Sequence, residues 1–346
     1  MRFGVIGGAG KIGRMRVETI LNNARTELVA VMDLNADAAR DVAAGAPVFT
    51  DPDDFFGTQM DAVVISTPAH VREPLVMAAI ERGLHILSEK PLTHKLDSSR
   101  AIHDAVKSAG IAFGAGFNMR YYPAFAHVRD IIDSGAIGEI DHMRIYGGHE
   151  GLPKFAFDWE YKSEISGGGA LWDVGIHMTD MARFLLGEIT SVYGVTSERV
   201  WQEPGSEDNA MAIFRNPEGI PAIYQATWTD WKGYKSAVEV YGSRGMVRGA
   251  YAPMETLTIT MDRPGGTPRR VHDRFRKIQI AEKLKSWKVT ALASFAAELE
   301  DFVSMAEGRT GLRIADAGAA LRAVEIATRL GESGALGREI TLEDLR

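Results

Sequence analysis

Residues 1–13 read MRFGVIGGAGKIG, an apolar run followed by four glycines within seven residues. The run Phe3 to Ile6 predicts a buried strand, and the amphipathic stretch Arg14 to Leu21 predicts a helix. The glycines between them allow a tight turn, and they leave the backbone open to close approach because they carry no Cβ. The stretch therefore predicts a strand, a turn and a helix, with a ligand site at the turn.

The spacing of the glycines indicates the kind of ligand. Gly8, Gly10 and Gly13 form G-x-G-x-x-G, and Gly7 allows the shifted pattern G-x-x-G-x-x-G, so which glycines contact the ligand stays open. Either pattern suits a dinucleotide pyrophosphate at the N-terminus of a helix. A nucleoside-triphosphate loop is excluded, because Ile12 stands where Ser or Thr would bind magnesium. The predicted cofactor contacts at this turn are Gly8, Gly10, Lys11, Ile12 and Gly13.

Asp33 ends the next predicted strand, roughly 20 residues after the turn, where a carboxylate accepts hydrogen bonds from the adenosine ribose. A carboxylate there also repels a 2′-phosphate, and Leu34 and Asn35 supply no cation to offset this. The sequence therefore predicts NAD as cofactor in preference to NADP. The alternative is that Asp33 only forms a turn or a helix cap, although Asn35 or Asp37 is available for the cap.

The composition favours a small-molecule enzyme. The chain has 346 residues, of which 45% are hydrophobic and 25% charged, and its net charge of -7 predicts no attraction to nucleic acid or to anionic membranes. Cysteine is absent, which excludes disulfides, thiol nucleophiles and thiolate metal sites. We expect a cytoplasmic protein, because the first strand leaves no room for a signal peptide and no apolar run is long enough to span a membrane.

The spacing of apolar residues changes once along the chain. As far as about Gly116, five short apolar runs alternate with amphipathic stretches, which predicts a doubly wound parallel α/β domain. Beyond it, period-two runs predict a large, mainly antiparallel sheet, interrupted by a helix over 171–186 and followed by two helices over 292–306 and 315–331. We expect domains at 1–118 and 119–346, with the C-terminal helices able to pack back on the first.

Ligands of such a domain bind at the carboxyl ends of its strands, where two polar segments stand. Ser66-Thr67-Pro68 follows one strand and Glu89-Lys90-Pro91 the next, and all six except Pro91 are predicted cofactor contacts. Lys90 precedes a proline, which favours extended backbone and a projecting side chain. The alternative for Lys90 is a solvated surface lysine.

A second constellation, GGGALWDVGIHMTD, occupies residues 167–180. Asp173 and His177 are four residues apart, which predicts that they share one face of a helix and form a carboxylate-histidine pair suited to general base catalysis. The alternative is that Asp173 only interacts favourably with the helix dipole and that His177 is only packed against its neighbours. Further predicted substrate contacts are Asn118, Arg120, Trp159 and Tyr161, for which capping or core packing is the alternative.

Two other segments carry histidines or clustered basic residues. His149-Glu150-Gly151-Leu152-Pro153 lacks the second histidine of a helical zinc motif, so no metal is predicted. Segment 263–277 holds six Lys or Arg against one acid. It predicts a mobile, solvated loop, with a lid, a partner contact or a site for acidic ligands as alternatives.

Taken together, these segments resemble the Gfo/Idh/MocA oxidoreductases, named for glucose-fructose oxidoreductase and inositol dehydrogenase. The resemblance spans nearly the whole chain and is carried by GGAGKIG, the Asp33 strand, SEKPLT at 88–93, GFNMRYYPAF at 116–125, GGGALWDVGIHMTD at 167–180 and VYGSRG at 240–245. Ala69 and Arg72 depart from it, since many relatives carry Asn and His there.

The resemblance implies a Rossmann domain followed by an α/β domain whose open-faced sheet forms a homo-oligomer, a dimer or tetramer. It also implies that Lys90, Asp173 and His177 are catalytic and contact a sugar or cyclitol. We expect His177 to remove a hydroxyl proton, Lys90 to bind the same oxygen and Asp173 to orient substrate or histidine while hydride passes to NAD. The alternatives are a ketoreductase of a nucleotide-linked sugar and a non-catalytic dinucleotide-binding regulator.

Overall fold

Six parallel strands form the sheet of the first unit, and five helices connect them. The computed structural model describes residues 1–342. The strands are β1 (Arg2–Ile6), β2 (Glu27–Met32), β3 (Val48–Phe49), β4 (Ala62–Ile65), β5 (His85–Ser88) and β6 (Phe113–Ala115). The helices are α1 (Lys11–Leu21), α2 (Ala36–Arg40), α3 (Pro52–Phe56), α4 (Arg72–Glu81) and α5 (Leu96–Ala109).

The strand order β3-β2-β1-β4-β5-β6 confirms the predicted doubly wound domain. The order reverses between β1 and β4, and in such sheets ligands bind in the crevice at the reversal, beyond the carboxyl ends of the strands. The glycine turn follows β1 and Ser66 follows β4. Both therefore stand at this crevice.

The second unit is built on a nine-stranded sheet. Its strands are β7 (Ile140–Gly148), β8 (Ser191–Ser197), β9 (Asn209–Arg215), β10 (Pro221–Thr227), β11 (Lys235–Gly242), β12 (Gly245–Tyr251), β13 (Glu255–Thr260), β14 (Arg269–Asp273) and β15 (Ile340–Thr341). Its helices are α6 (Pro123–Asp133), α7 (Ser163–Ser166), α8 (Val174–Leu186) and α9 (Arg276–Lys285). The strand order is β14-β13-β12-β11-β7-β10-β9-β8-β15, and only β7 and β10 pair in parallel, which confirms the mainly antiparallel sheet.

Helix α8 packs on one face of this sheet. At Gly175 a Cβ would lie 2.5 Å from the Tyr224 hydroxyl and 2.8 Å from the Ala226 Cβ, so only glycine lets the helix approach β10 this closely. On β8, β9 and β10 the alternate side chains leave the other face open, with Ile223 57% and Tyr193 42% exposed. The pleat thus divides a buried face from an exposed apolar one.

Two long helices, α10 (Lys288–Ala306) and α11 (Ala317–Leu336), stand between α9 and β15 in the chain. The apolar stripe of α10 is buried in the first unit, where the ring centroids of Phe302 and Phe3 lie 5.9 Å apart. The units are accordingly discontinuous in sequence: the first joins Met1–Tyr121 with Thr290–Leu321, and the second joins Tyr122–Val289 with Arg322 onward. Among residues 1–342, no helix combines the length and apolarity that a membrane crossing requires.

The basic segment 263–277 is partly regular. It contains β14, which pairs with β13 at the edge of the sheet and whose five residues are all exposed. The prediction of an irregular loop was wrong, because pairing with β13 supplies backbone hydrogen bonds that side-chain composition does not reveal. The predicted solvent exposure of its charges holds for β14.

Candidate functional site

The glycine turn between β1 and α1 has the geometry of a phosphate-binding backbone. Gly7 has a φ of +79°, which favours glycine, and a Cβ at Gly13 would lie 1.9 Å from the Gly7 carbonyl oxygen. Helix α1 can therefore begin directly at the turn. Gly10 is exposed at the N-cap, and Lys11, Ile12 and Gly13 form the first turn, where amide groups have no intrahelical acceptor. This arrangement can receive an anion.

Asp33 is held against the glycine turn. Its Oδ2 accepts a hydrogen bond from the Ala9 amide at 2.9 Å, and its Oδ1 accepts one from the Asn35 amide at 3.0 Å. Asn35 itself caps α2 through the Ala38 amide. Asp33 is thus a half-buried carboxylate with lone pairs left for ribose hydroxyls, as the NAD interpretation requires.

The loop after β4 presents two buried hydroxyls. Ser66 Oγ and Thr67 Oγ1 are buried, and neither finds a hydrogen-bond partner among residues 1–342. The Ser66 carbonyl oxygen would lie 2.8 Å from a Cβ at Gly7, so this loop borders the glycine turn directly. Buried hydroxyls normally have partners. Together with Asp33 and the turn, these two fit the polar groups of a dinucleotide.

Glu89 and Lys90 follow β5, where the predicted strand ended. The Glu89 carboxylate forms an ion pair with Arg16 at 2.6 Å, and Arg16 also pairs with Glu298 at 2.6 Å. The side chain predicted to contact cofactor is therefore part of a buried ion network. Lys90 is half-buried, and the Lys90–Pro91 peptide is cis.

Two predicted substrate residues of the first unit are buried in other contacts. Asn118 Nδ2 donates to Ser294 Oγ at 2.8 Å, and Arg120 Nη1 donates to the Arg313 carbonyl at 3.0 Å. These bonds tie the segment after β6 to the α10 region.

In the second unit, Asp173 stands at the N-cap of α8, one residue before the helix begins. The predicted helix start at 171 was wrong, and Asp173 precedes the helix whose first turn carries His177. The cause is the preceding turn, in which Gly175 donates to the Ala170 carbonyl at 2.8 Å. The Asp173 Oδ2 lies 2.7 Å from His149 Nε2 and accepts a hydrogen bond from Trp228 Nε1 at 3.1 Å.

The hydrogen bonds of His149 fix its tautomer. Its Nδ1 accepts a hydrogen bond from the Gly151 amide at 3.0 Å, so Nε2 carries the proton and donates it to Asp173. The ring of Tyr234 stacks at 6.2 Å with an interplanar angle of 6°. His149 is 6% exposed. The imidazole is thereby held in one orientation with its donor on the carboxylate.

Glu207 organises the glycine run before Asp173. Its Oε1 accepts from the Gly169 amide at 3.0 Å and the Leu171 amide at 2.8 Å, and its carbonyl accepts from Ala170 at 2.8 Å. A Cβ at Gly169 would lie 2.2 Å from that carbonyl oxygen, which explains glycine there. Burial raises the pKa of the Glu207 carboxyl to about 7, although the two amides lower it. One buried carboxyl group thus fixes the path of the backbone to Asp173.

The remaining predicted residues lie close to this cluster along the chain. His177 is in the first turn of α8 and is half-buried. Tyr161 donates to Asp158 at 2.7 Å and lies 6.0 Å, ring to ring, from Phe155, whose ring is 5.6 Å from His149. Trp159 is 37% exposed on the same segment. Within residues 1–342, no group of three or more His, Cys, Asp or Glu is arranged to hold a metal ion.

Sequence reasoning missed His149 as a partner of Asp173, and it missed Trp228 and Glu207 entirely. His149 directly follows β7 and Trp228 directly follows β10, and these strands are parallel, with Thr227 paired to Gly148. Their carboxyl ends therefore meet at one edge of the sheet, as in the first unit. Pairing of strands this far apart in the chain could not be inferred from the pattern.

Comparisons with known proteins agree over the whole length. Residues 1–117 match the family described as "Oxidoreductase family, NAD-binding Rossmann fold", and residues 125–248 match "GFO/IDH/MocA C-terminal domain". An inositol 2-dehydrogenase of Rhizobium meliloti (strain 1021) is 31% identical over 350 residues, covering 99% of each chain.

Two further similarities are to proteins that are named for other sugars. A dTDP-3,4-didehydro-2,6-dideoxy-alpha-D-glucose 3-reductase of Streptomyces violaceoruber is 26% identical over 94% of this chain and 93% of its own. A solved structure of a levoglucosan dehydrogenase in complex with NADH and levoglucosan superposes with a TM-score of 0.84 at 25% identity, covering 99% of this chain and all of the other.

Proposed function

Because the chain belongs to the GFO/IDH/MocA family of oxidoreductases, we propose that it is an NAD-dependent dehydrogenase that acts on a secondary hydroxyl of a sugar or cyclitol. The observation that supports the substrate class best is the end-to-end similarity to an inositol 2-dehydrogenase. The proposal is further supported by Asp33 on the glycine turn and by the buried hydroxyls of Ser66 and Thr67, which suit the polar groups of NAD. NAD, when bound, accepts the hydride.

The catalytic set on this proposal is Lys90, Asp173 and His177. His177 removes the proton from the substrate hydroxyl, and Lys90 donates a hydrogen bond to the substrate oxygen. Asp173 orients the reacting group from a fixed position, because His149 and Trp228 both donate to its Oδ2. A carboxylate held by two N–H donors stays in one place as charge shifts during proton transfer, which is the advantage of a preorganised site.

A second candidate is reduction of a nucleotide-linked keto sugar. It is favoured by the similarity to a dTDP-sugar 3-reductase over 94% of the chain. The exposed basic strand β14 offers arginines for a nucleotide phosphate. The relatives compared above are enzymes, which gives the interpretation as a non-catalytic regulator no support.

The open face of the nine-stranded sheet supports a homo-oligomer, either a dimer or a tetramer. Tyr193 pairs with Ile213, which pairs with Ile223, so three exposed apolar side chains form one row across β8, β9 and β10. Contiguous exposed apolar surface of this kind marks protein interfaces. The cytoplasmic location and the absence of nucleic-acid and membrane partners stay predictions.

The test is a spectrophotometric panel with the full chain. Free cyclitols, aldoses and anhydrosugars are compared with nucleotide-linked sugars, each with NAD and with NADP, and formation or loss of NADH absorbance is recorded. The proposal expects turnover of a free cyclitol or sugar with NAD. Turnover of nucleotide-linked sugars alone would favour the second candidate, and no turnover of either class would contradict both.

A further inference from the structure

Arg72 is a buried cation at the place where the sequence departs from the family pattern. It is the first residue of α4, and it is 2% exposed. Burying a guanidinium costs free energy unless hydrogen bonds replace its water. The partners of Arg72 therefore indicate what this charge is for.

Those partners are backbone carbonyls of two loops. Nη1 donates to the Glu89 carbonyl at 2.6 Å and to the Leu92 carbonyl at 3.3 Å, and it also bonds to the Pro91 carbonyl. Nη2 donates to the carbonyl of Thr67. The carbonyls that Nη1 binds lie on both sides of Lys90 in the chain. Thr67, which Nη2 binds, belongs to the loop with the two buried hydroxyls.

A guanidinium is suited to this task because its donors form a rigid planar fork. One such fork can bind carbonyls that belong to separate loops, whereas a lysine is a point donor on a flexible stem. Burial lowers the pKa of Arg72 to about 10, so the group is still a cation at neutral pH. The Glu89 side chain is fixed independently by Arg16 of α1 at 2.6 Å. The backbone around Lys90 is thus held from two helices.

We propose that Arg72 is a positioning residue for hydride transfer, which binds the Lys90 loop to the Ser66-Thr67 loop and so fixes the predicted catalytic amine relative to the cofactor site. The proposal rests on the proposed function in so far as Lys90 acts on substrate. The clamp itself is a property of the fold and is testable without turnover.

The first experiment measures hydrogen exchange in the wild type, Arg72→Gln and Arg72→Lys. The control is Arg82→Lys, which alters an exposed arginine that follows the same helix and donates to the Ala78 carbonyl at 2.9 Å. Peptides covering 66–71 and 88–95 should exchange at least about tenfold faster in both Arg72 variants, because neither glutamine nor lysine supplies the planar fork of donors that binds both loops. The rest of the first unit and the Arg82 control should be unchanged. Equal exchange in all proteins would overturn the clamp.

The second experiment is a double-mutant cycle on kcat with Arg72→Gln, Lys90→Met and the double variant. Arg72→Gln should lower kcat at least about tenfold alone, but less than about threefold in the Lys90→Met background, because both changes remove the same contribution. Additive losses would overturn action through Lys90. If Lys90→Met alone keeps the wild-type kcat, the proposed role of Lys90 fails, and the exchange data still decide the clamp. If Arg72→Gln does not fold, Arg72→Lys, which keeps the charge, replaces it in both experiments.

Discussion

The Nε2 atom of His149 lies 2.7 Å from Oδ2 of Asp173, and the Gly151 amide on the other ring nitrogen makes Nε2 the donor. The histidine that directly follows β7 thereby fixes the carboxylate that precedes α8. Trp228 supplies a second N–H to the same carboxylate oxygen. The carboxylate that is predicted to pair with His177 is therefore positioned by the residues that directly follow β7 and β10.

Replacing His149 with Ala should lower kcat about tenfold or more, because a hydrogen bond to a charged group is worth about 1.5–3 kcal/mol. The measurement is steady-state turnover with NAD and the best substrate of the panel. His142→Ala is the matched control, since His142 pairs with Asp141 at 2.7 Å on the exposed side of β7. Equal kcat for the His149 variant and this control would contradict a positioning role.

Replacing Asp33 with Ala should relax cofactor choice. The variant loses the acceptor for the ribose hydroxyls and the repulsion of a 2′-phosphate. We expect the ratio of kcat/KM for NAD to that for NADP to fall at least about tenfold, as the loss of a charged hydrogen bond implies. Asp37→Ala, at an exposed position of α2 paired to Arg40, should leave the ratio unchanged. An unchanged ratio in the Asp33 variant would contradict a contact between Asp33 and the ribose.

Glu207 should make stability fall as pH rises. Its pKa is about 7 in the folded protein against an ordinary 4.5, so the folded state holds the proton more tightly. This contribution is complete below the ordinary pKa and is lost as pH rises through the folded one, and it amounts to roughly 3 kcal/mol. Glu207→Gln keeps an oxygen acceptor for both amides but does not titrate.

The measurement compares denaturant unfolding of the wild type and Glu207→Gln from about pH 4 to about pH 8. The wild type should lose unfolding free energy relative to the variant across this range. Parallel stability curves would show that the burial of Glu207 does not shift its titration.

Replacing Ile213 with Lys should weaken self-association. The residue is 43% exposed and lies between Tyr193 and Ile223 in the apolar row. A buried, unpaired charge at an interface is costly, so the Kd of the oligomer should rise at least about tenfold. Sedimentation measures this, with Leu21→Lys, 47% exposed on α1, as the control. An unchanged Kd in the Ile213 variant, or a wild type that is monomeric, would contradict the proposal that this face forms the oligomer interface.

Local pattern predicted most of the fold. The strands at 140–148 and 209–215 show the alternation of buried and exposed residues from which the sequence predicts a mainly antiparallel sheet. The sequence gives a weaker signal for β12, since glycines at 245 and 249 interrupt the alternation of its side chains. The start of α8 was placed too early, because the turn that Glu207 holds looks helical in composition.

The residues of the candidate site were predictable only where they lie close together in the chain. The glycine turn and Asp33 follow from spacing along the chain. The pairing of His149 with Asp173 joins residues 24 apart across two elements, and Arg72 binds carbonyls that no side-chain pattern records. These contacts depend on which strands become neighbours.

The most direct test of the account is the turnover of His177→Ala with NAD and the best cyclitol or sugar of the panel. Loss of the general base should lower kcat by about 100-fold or more, with NADH binding measured by fluorescence unchanged. A variant that retains wild-type turnover would contradict the assignment of proton transfer to His177, and with it the proposed catalytic set.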